Sequence, residues 1–297
     1  MENQVSLQHE DVPIFLVGTR FQAVMANAIV EYLELTKFDL VFFHHDDTGK
    51  VKTDLALTHL ASQARRVTPV NRLIRERRQT AELIRAIGRL RRTVFAAQIS
   101  AEFVMTIFPF RKKLCLQTFD EGSFNIVKDG PFFQPERFAV RSLRDVMLRL
   151  KFPDGIIAFA RNRSQRHFTA FAPALNLMSN IAERVPVAWH RYLEDGEQEL
   201  VRDARSIMVL PCFQDFSGTA AERKRIRDYA DKCDLVVRHP RDAALADIDT
   251  ICLKAPVEAA IDMARASGPV RVYHFASTVG LTIADWDDVT VFDLSKE

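Results

Sequence analysis

Residues 206–240 read SIMVLPCFQDFSGTAAERKRIRDYADKCDLVVRHP. The stretch opens on a short apolar run, SIMVLPCF (206–213), and closes on a second, CDLVVRHP (233–240). Between them TAAERKRIRDYADK (219–232) is polar and rich in good helix formers. Short runs of continuous apolar residues suit strands buried on both faces, and a helix between two of them is the unit of a parallel α/β sheet. The pattern continues downstream. TICLKAP (250–256), VRVYHF (270–275) and VTVFDL (289–294) read as strands, with helices expected over 258–267 and 278–284. Upstream, PIFLVG (13–18) precedes a helix whose apolar residues Phe21, Val24, Met25, Ala28, Ile29 and Leu33 recur at three- and four-residue steps. FDLVFFHH (38–45) and KLCLQTF (113–119) are further strands. The arginine-rich stretch 62–103 is helical in character, and PERFAVRSLRDVMLRLK (135–151) is amphipathic, with Leu143, Val146, Met147 and Leu150 on one stripe. IIAFA (156–160) reads as a short strand, and 161–180 has no clean period. The expected fold is α/β: two Rossmann-like doubly wound domains, 1–160 and 186–297, facing a central cleft and joined by a crossing over 161–185.

The chain of 297 residues is 47% hydrophobic and 27% charged, ordinary for a globular protein. Its net charge of +2 conceals an uneven distribution. Ten arginines lie between Arg65 and Arg92 against Glu76 and Glu82, and Arg137 to Lys151 carries five cations against Asp145. Such blocks are either well-solvated helix faces or suit an anionic partner such as nucleic acid, acidic lipid or a phosphorylated glycolipid. Cys115, Cys212, Cys233 and Cys252 sit in or beside apolar runs without CxxC spacing, which reads as reduced core cysteines rather than a metal or disulfide framework. No run approaches the ~18 apolar residues of a membrane span, and MENQVSLQHED lacks a signal-peptide core. The expectation is a cytoplasmic protein, with peripheral contact at the inner-membrane surface through the basic stretches.

In doubly wound sheets, ligands bind outside the carboxyl ends of the strands. Five groups stand where apolar patterns stop: GTRFQ (18–22), Asp120–Glu121–Gly122, RHPR (238–241), PVE (256–258) and STVG (277–280). Gly122 lets the chain turn off its strand, and Glu121 beside Asp120 favours a base. His239 is either a general acid or an exposed residue in a strand-ending turn fixed by Pro240. Arg238 and Arg241 would attract a phosphate. Ser277 and Thr278 form an anion site or a plain helix cap. Glu258 either complements a helix start or holds a ribose diol. A second acidic-acidic-Gly triplet, Glu194–Asp195–Gly196, reads as a surface turn.

TFDEGSFNI (118–126), followed in order by VVRHPR, PVE and HFASTVG, resembles the bacterial sialyltransferases of glycosyltransferase family 52. Those enzymes share an acidic-acidic-Gly motif, a His-Pro motif and a late Ser-Ser or Ser-Thr pair. GTRFQAVMANAI looks like the family's opening strand–loop–helix, including Gly18, Thr19 and Gln22, and RHFTAF (166–171) like its His-Tyr-Thr element with Phe168 for tyrosine. The resemblance implies a GT-B fold and metal-independent, inverting transfer of sialic acid from CMP-sialic acid to a terminal sugar, typically galactose, of lipooligosaccharide. It implies no cofactor. By position it makes Asp120 the base, His239 the acid, Ser277 and Thr278 the phosphate holders and Glu258 the ribose ligand, with Arg238 and Pro240 flanking the acid. Asp215, in LPCFQDFSG, is the alternative base.

The chain departs from the family in Arg238, where lysine is common, and in Asp120–Glu121 in place of Asp-Asp. Other readings within the enzyme class are a GT-B transferase of another nucleotide sugar and a capsule polysialyltransferase. A non-catalytic nucleic-acid-binding protein is a further reading, disfavoured because no basic–aromatic interleaving and no zinc or helix-turn-helix signature is present. The stripe from Leu143 to Leu150 offers a homodimer contact, a membrane contact or plain core.

Overall fold

The computed structural model describes residues 12–44, 55–71, 92–97, 114–122, 126, 133, 146, 149–150, 152–214, 216–243, 248–275 and 277–296. Contacts divide the chain into two units, one through Pro186 apart from residues 54–56, the other those three residues and the chain from Val187 onward.

Among the described residues the first unit holds seven strands: β1 Ile14–Val17, β2 Asp39–His44, β3 Arg66–Asn71, β4 Arg92–Ala96, β5 Leu114–Phe119, β6 Ser164–Thr169 and β7 Ala182–Arg184. Every pairing is parallel and the order is β3-β2-β1-β4-β5-β6-β7, with the chain reversing direction across the sheet between β1 and β4. That is the doubly wound order, extended by one strand. β1 is buried at every position. Phe15 at its centre stacks on Phe95 of β4 at 4.4 Å and meets Phe38 edge-on at 5.3 Å. Each such pair adds about 0.5–1.5 kcal/mol beyond area burial. Helix α1 (Arg20–Tyr32) starts at Thr19, whose hydroxyl accepts from Gln22 N, and is buried from Gln22 through Val30, as a helix apolar on nearly all sides must be.

The second unit holds β8 Ser206–Val209, β9 Leu235–Val237, β10 Val270–His274 and β11 Val289–Asp293, all parallel, in the order β11-β10-β8-β9. Ile251 adds a single parallel bridge outside β9 at Val237. Counting that bridge as a strand, the unit repeats the doubly wound order, with its reversal between β8 and β10. Each unit is thus Rossmann-like, and two such units make up the GT-B fold class.

The structure alters several sequence expectations. Residues 156–163 form a helix, α3 (Ile156–Arg163), with α2 being Leu55–Gln63; IIAFA is too short for its apolar run to separate strand from helix. The segment 161–185 is no crossing between domains, because it carries β6 and β7 of the first sheet. The arginine-rich stretch contains two strands, β3 and β4. Pro69 is tolerated in β3 because β3 is the sheet's edge. TICLKAP makes one bridge rather than a strand. Glu194–Asp195–Gly196 opens helix α4 (Asp195–Val201) through a capping box between Glu194 and Glu197. Most of the basic stretches and of the 143–150 stripe lies outside the described residues, although Leu150 is 78% exposed. Among the described residues no helix is long and apolar enough to cross a membrane.

Candidate active site

In the first unit the β5–β6 ladder sets Thr118 opposite His167 and Phe119 opposite Phe168. Alternation then turns Thr118, Asp120 and His167 to one face of the sheet. Asp120 N donates to Phe168 O at 3.2 Å, extending the pairing by one residue. The Asp120 carboxylate is fully buried. Oδ1 lies 3.0 Å from His167 Nε2 and accepts from Asn176 Nδ2 at 2.9 Å, while Oδ2 accepts from Ala170 N at 2.9 Å. His167 Nδ1 lies 2.9 Å from Thr118 Oγ1, which lies 2.7 Å from Ser164 Oγ. Ser164 gives its single proton to Arg166 O at 2.8 Å. Thr118 therefore supplies the proton of the Thr118–Ser164 contact and receives one from His167 Nδ1. Nε2 also lies 3.1 Å from Asn176 Nδ2, so the amide bridges imidazole and carboxylate.

The structure encloses Asp120 instead of presenting it at the surface. A general base must reach the proton that it removes, and Asp120 has both oxygens occupied beneath the surface. Gly122 takes φ of +119°, a conformation that favours glycine and turns the chain after Glu121. Gly18, Thr19 and Gln22 also belong to this unit and bond to one another. Gly18 N donates to Gln22 Oε1 at 2.6 Å and Gln22 N to Thr19 Oγ1 at 3.2 Å. The alternative base, Asp215, lies outside the described residues.

In the second unit Glu258 stands in the first turn of α6 (Val257–Arg265), α5 being Ala220–Ala230. It is partly buried, and loss of water lifts its carboxyl above the usual glutamate range. Thr282 Oγ1 reaches Glu258 Oε1 at 3.2 Å and Thr278 O at 3.5 Å. Glu258 and the Ser277–Thr278 turn, read separately from sequence, are thus joined through Thr282, the last residue of the short helix α7 (Val279–Thr282). Thr278 takes helical angles and its side chain makes no capping bond; Ser277 Oγ accepts from Val279 N at 3.4 Å. His274, ending β10, fixes the turn from below. Its Nδ1 accepts from Ser277 N at 3.2 Å, and burial pushes its imidazole below the usual range. Its Nε2 stands so close to Gly280 that a Cβ there would come within 2.2 Å.

The turn after β9 carries Arg238, His239, Pro240, Arg241 and Asp242. Arg241 N donates to His239 Nδ1 at 3.2 Å, so a neutral ring keeps its proton on Nε2. Arg238 donates to Asp242 O, and its buried Nε has no partner among the described residues. Asp242 is buried and accepts from Phe213 N at 2.8 Å and Gln214 N at 3.3 Å, which ties the turn after β8 to the turn after β9. Sequence reasoning did not single out Thr118, His167, Asn176, His274, Thr282 or Asp242 for these roles. A signal existed for Thr282, which stands one helical turn after Thr278.

No protein-family model matches the chain, and a search of curated proteins finds no match. Among solved structures, the wall teichoic acid polymerase TagF soaked with CDPG is similar at 9% identity and a TM-score of 0.48, over 91% of this chain and 66% of that one. A UDP-N-acetylglucosamine 2-epimerase is similar at 13% identity and a TM-score of 0.47, over 91% of this chain and 75% of that one. This chain thus spans just under two thirds of the polymerase. The fold class rests on the strand order described above, not on these likenesses.

Proposed function

We propose that the protein is a GT-B glycosyltransferase whose second unit holds the nucleotide-sugar donor, and that the donor is CMP-sialic acid. The observation that supports this reading is the Glu258–Thr282–Thr278 linkage. It sets a water-poor carboxylate beside a turn with a hydroxyl uncommitted to capping, at the sheet edge where doubly wound folds bind nucleotides. Glu258 accepts from the ribose hydroxyls. Ser277 and Thr278 hold the phosphate. His239, with Nδ1 engaged by the Arg241 amide, presents Nε2–H to the departing phosphate oxygen, and Arg238 and Arg241 add positive charge beside it. Transfer is a single inverting displacement onto a terminal sugar, galactose of a lipooligosaccharide in the fullest form of the reading, and needs no metal. With Asp120 internally bonded, Asp215 becomes the carboxylate to test as base.

The test is a thermal-unfolding panel with CMP, UMP, UDP and GDP, followed by CMP-sialic acid turnover. A ligand at about 100 times its dissociation constant adds about 2.7 kcal/mol, enough for a shift of several degrees. A shift with CMP alone, reduced in Glu258→Gln, supports the donor assignment. A shift with UDP or GDP and none with CMP rejects it while leaving a nucleotide-sugar transferase standing.

A further inference from the structure

The turns after β8 and β9 gather a thiol, an imidazole and a carboxylate at the carboxyl edge of the second sheet. Cys212 Sγ lies 3.6 Å from Asp242 Oδ1. One ligating atom each from Cys212, His239 and Asp242 lie within 4.8 Å of one another. We propose that these three side chains bind a divalent transition-metal ion of the zinc type, and that the bound ion withdraws His239 from proton transfer.

The geometry is close to what such an ion requires. Tetrahedral zinc with bonds of about 2.3 Å to sulfur and about 2.0 Å to oxygen separates the two ligands by roughly 3.5 Å. Cys212 and Asp242 already stand at that separation, and the half-buried His239 ring lies within 4.8 Å of both. The donor set selects the metal: thiolate and imidazole suit zinc or cobalt and are poor ligands for magnesium or calcium. Three protein ligands leave a fourth position open. The carboxylate is oriented beforehand by Phe213 N and Gln214 N, as ligating carboxylates usually are. Both turns spring from adjacent hydrogen-bonded strands, so the three residues are held together without the ion.

Entry of the ion is balanced by one proton. In the ion-free chain the Cys212 thiol points at Asp242 Oδ1; on binding, that proton leaves to solvent and the metal takes its place. The Arg241 N to His239 Nδ1 contact is given up whichever ring nitrogen ligates. If Nδ1 ligates, its lone pair is used; if Nε2 ligates, the ring proton moves to Nδ1. Arg238 and Arg241 oppose a cation nearby, and the thiolate with the carboxylate supplies two negative charges against them. The metal site stands whichever nucleotide sugar the protein takes, while the loss of proton transfer rests on the acid role proposed for His239 above.

The experiment is a titration of the full chain with cobalt(II), reading the near-ultraviolet thiolate-to-metal band and the visible bands, followed by displacement with zinc against a chromophoric chelator. One ion per chain and a thiolate band are expected. Cys212→Ser should abolish the band and weaken binding by about tenfold or more. Cys252→Ser, which removes an exposed cysteine, should change neither. Cys212→Ala repeats the comparison without a hydroxyl, and thermal midpoints confirm that the variants are folded. A thiolate band that survives in Cys212→Ser, cobalt bound without one, or no stoichiometric binding at micromolar protein would each overturn the proposal.

Discussion

At Asp120 the chemistry of a single carboxylate is set by what surrounds it. Its oxygens face His167, Asn176 and the Ala170 amide inside the first unit. Asp120→Asn puts an amide N–H₂ where only acceptors fit, leaving buried donors face to face. Breaking a buried, hydrogen-bonded pair in this way costs about 3 kcal/mol. Urea denaturation should show that loss directly. An Asp120→Asn variant of unchanged stability that loses only turnover would restore it as the base. Glu258 is the opposite case, a carboxylate with too little water. Burial raises its carboxyl and the Thr282 hydroxyl only partly offsets this, so the folded chain holds the proton more tightly than the unfolded chain does. The contribution to stability is complete below the unfolded value near 4.5 and drains away as pH rises through the folded value. Glu258→Gln should therefore raise the unfolding midpoint at pH 8 by about 2–4 °C, the equivalent of about 1 kcal/mol. It should also flatten the decline in stability above pH 4.5, while the CMP-induced shift shrinks. A lower midpoint at pH 8 would show that the carboxylate is well solvated or paired.

Among the elements, α7 is closely constrained at one glycine. Gly280 in its first turn lies against the His274 imidazole, and that ring is held in place by Ser277 N. Gly280→Ala should destabilise the chain by about 1–3 kcal/mol by overpacking and remove the nucleotide response, because the Ser277–Thr278 turn rides on the same contact. Shrinking the ring with His274→Ala in the same chain should recover part of the lost midpoint; no recovery would place the strain elsewhere. Elements built on local pattern were legible in the sequence: β8, α5 and β9 follow from two apolar runs around a capped polar helix, and α1 from its three- and four-residue steps. Elements defined by their neighbours were not. β4 is a four-residue apolar patch amid arginines and is a strand because β1 and β5 flank it. β3 contains Pro69, and only its edge position permits that. The same division holds at the site. The Ser277–Thr278 turn and Glu258 could be singled out because each sits where an apolar pattern stops. The partners of Asp120 could not, because His167 arrives through a strand register set 47 residues away in the chain.

Over the whole chain, two doubly wound sheets offer two places where strand order reverses, and sequence reading drew donor ligands from both. At the first reversal two of the amides that would greet a phosphate are already occupied: Gly18 N by Gln22 Oε1 and Gln22 N by Thr19 Oγ1, with Gln22 itself buried. A phosphate there would have to displace side-chain acceptors positioned by the fold. At the second reversal Ser277 N and Val279 N are likewise engaged, but the Thr278 side chain makes no capping bond and Glu258 stands one hydroxyl away. The donor should therefore act on the second unit. In hydrogen exchange followed by mass spectrometry, saturating CMP should slow amides across 256–259 and 277–283 and leave 18–23 unchanged. For amides that exchange only through opening of the binding-competent state, ligand at about 100 times its dissociation constant slows exchange by up to about 100-fold. Protection at 18–23 with none at 277–283 would move the donor to the first unit and return Gly18, Thr19 and Gln22 to the phosphate. Protection at both would mean that the second unit carries only part of the nucleotide response, and the Glu258→Gln and Gly280→Ala variants would then each leave a residual CMP shift.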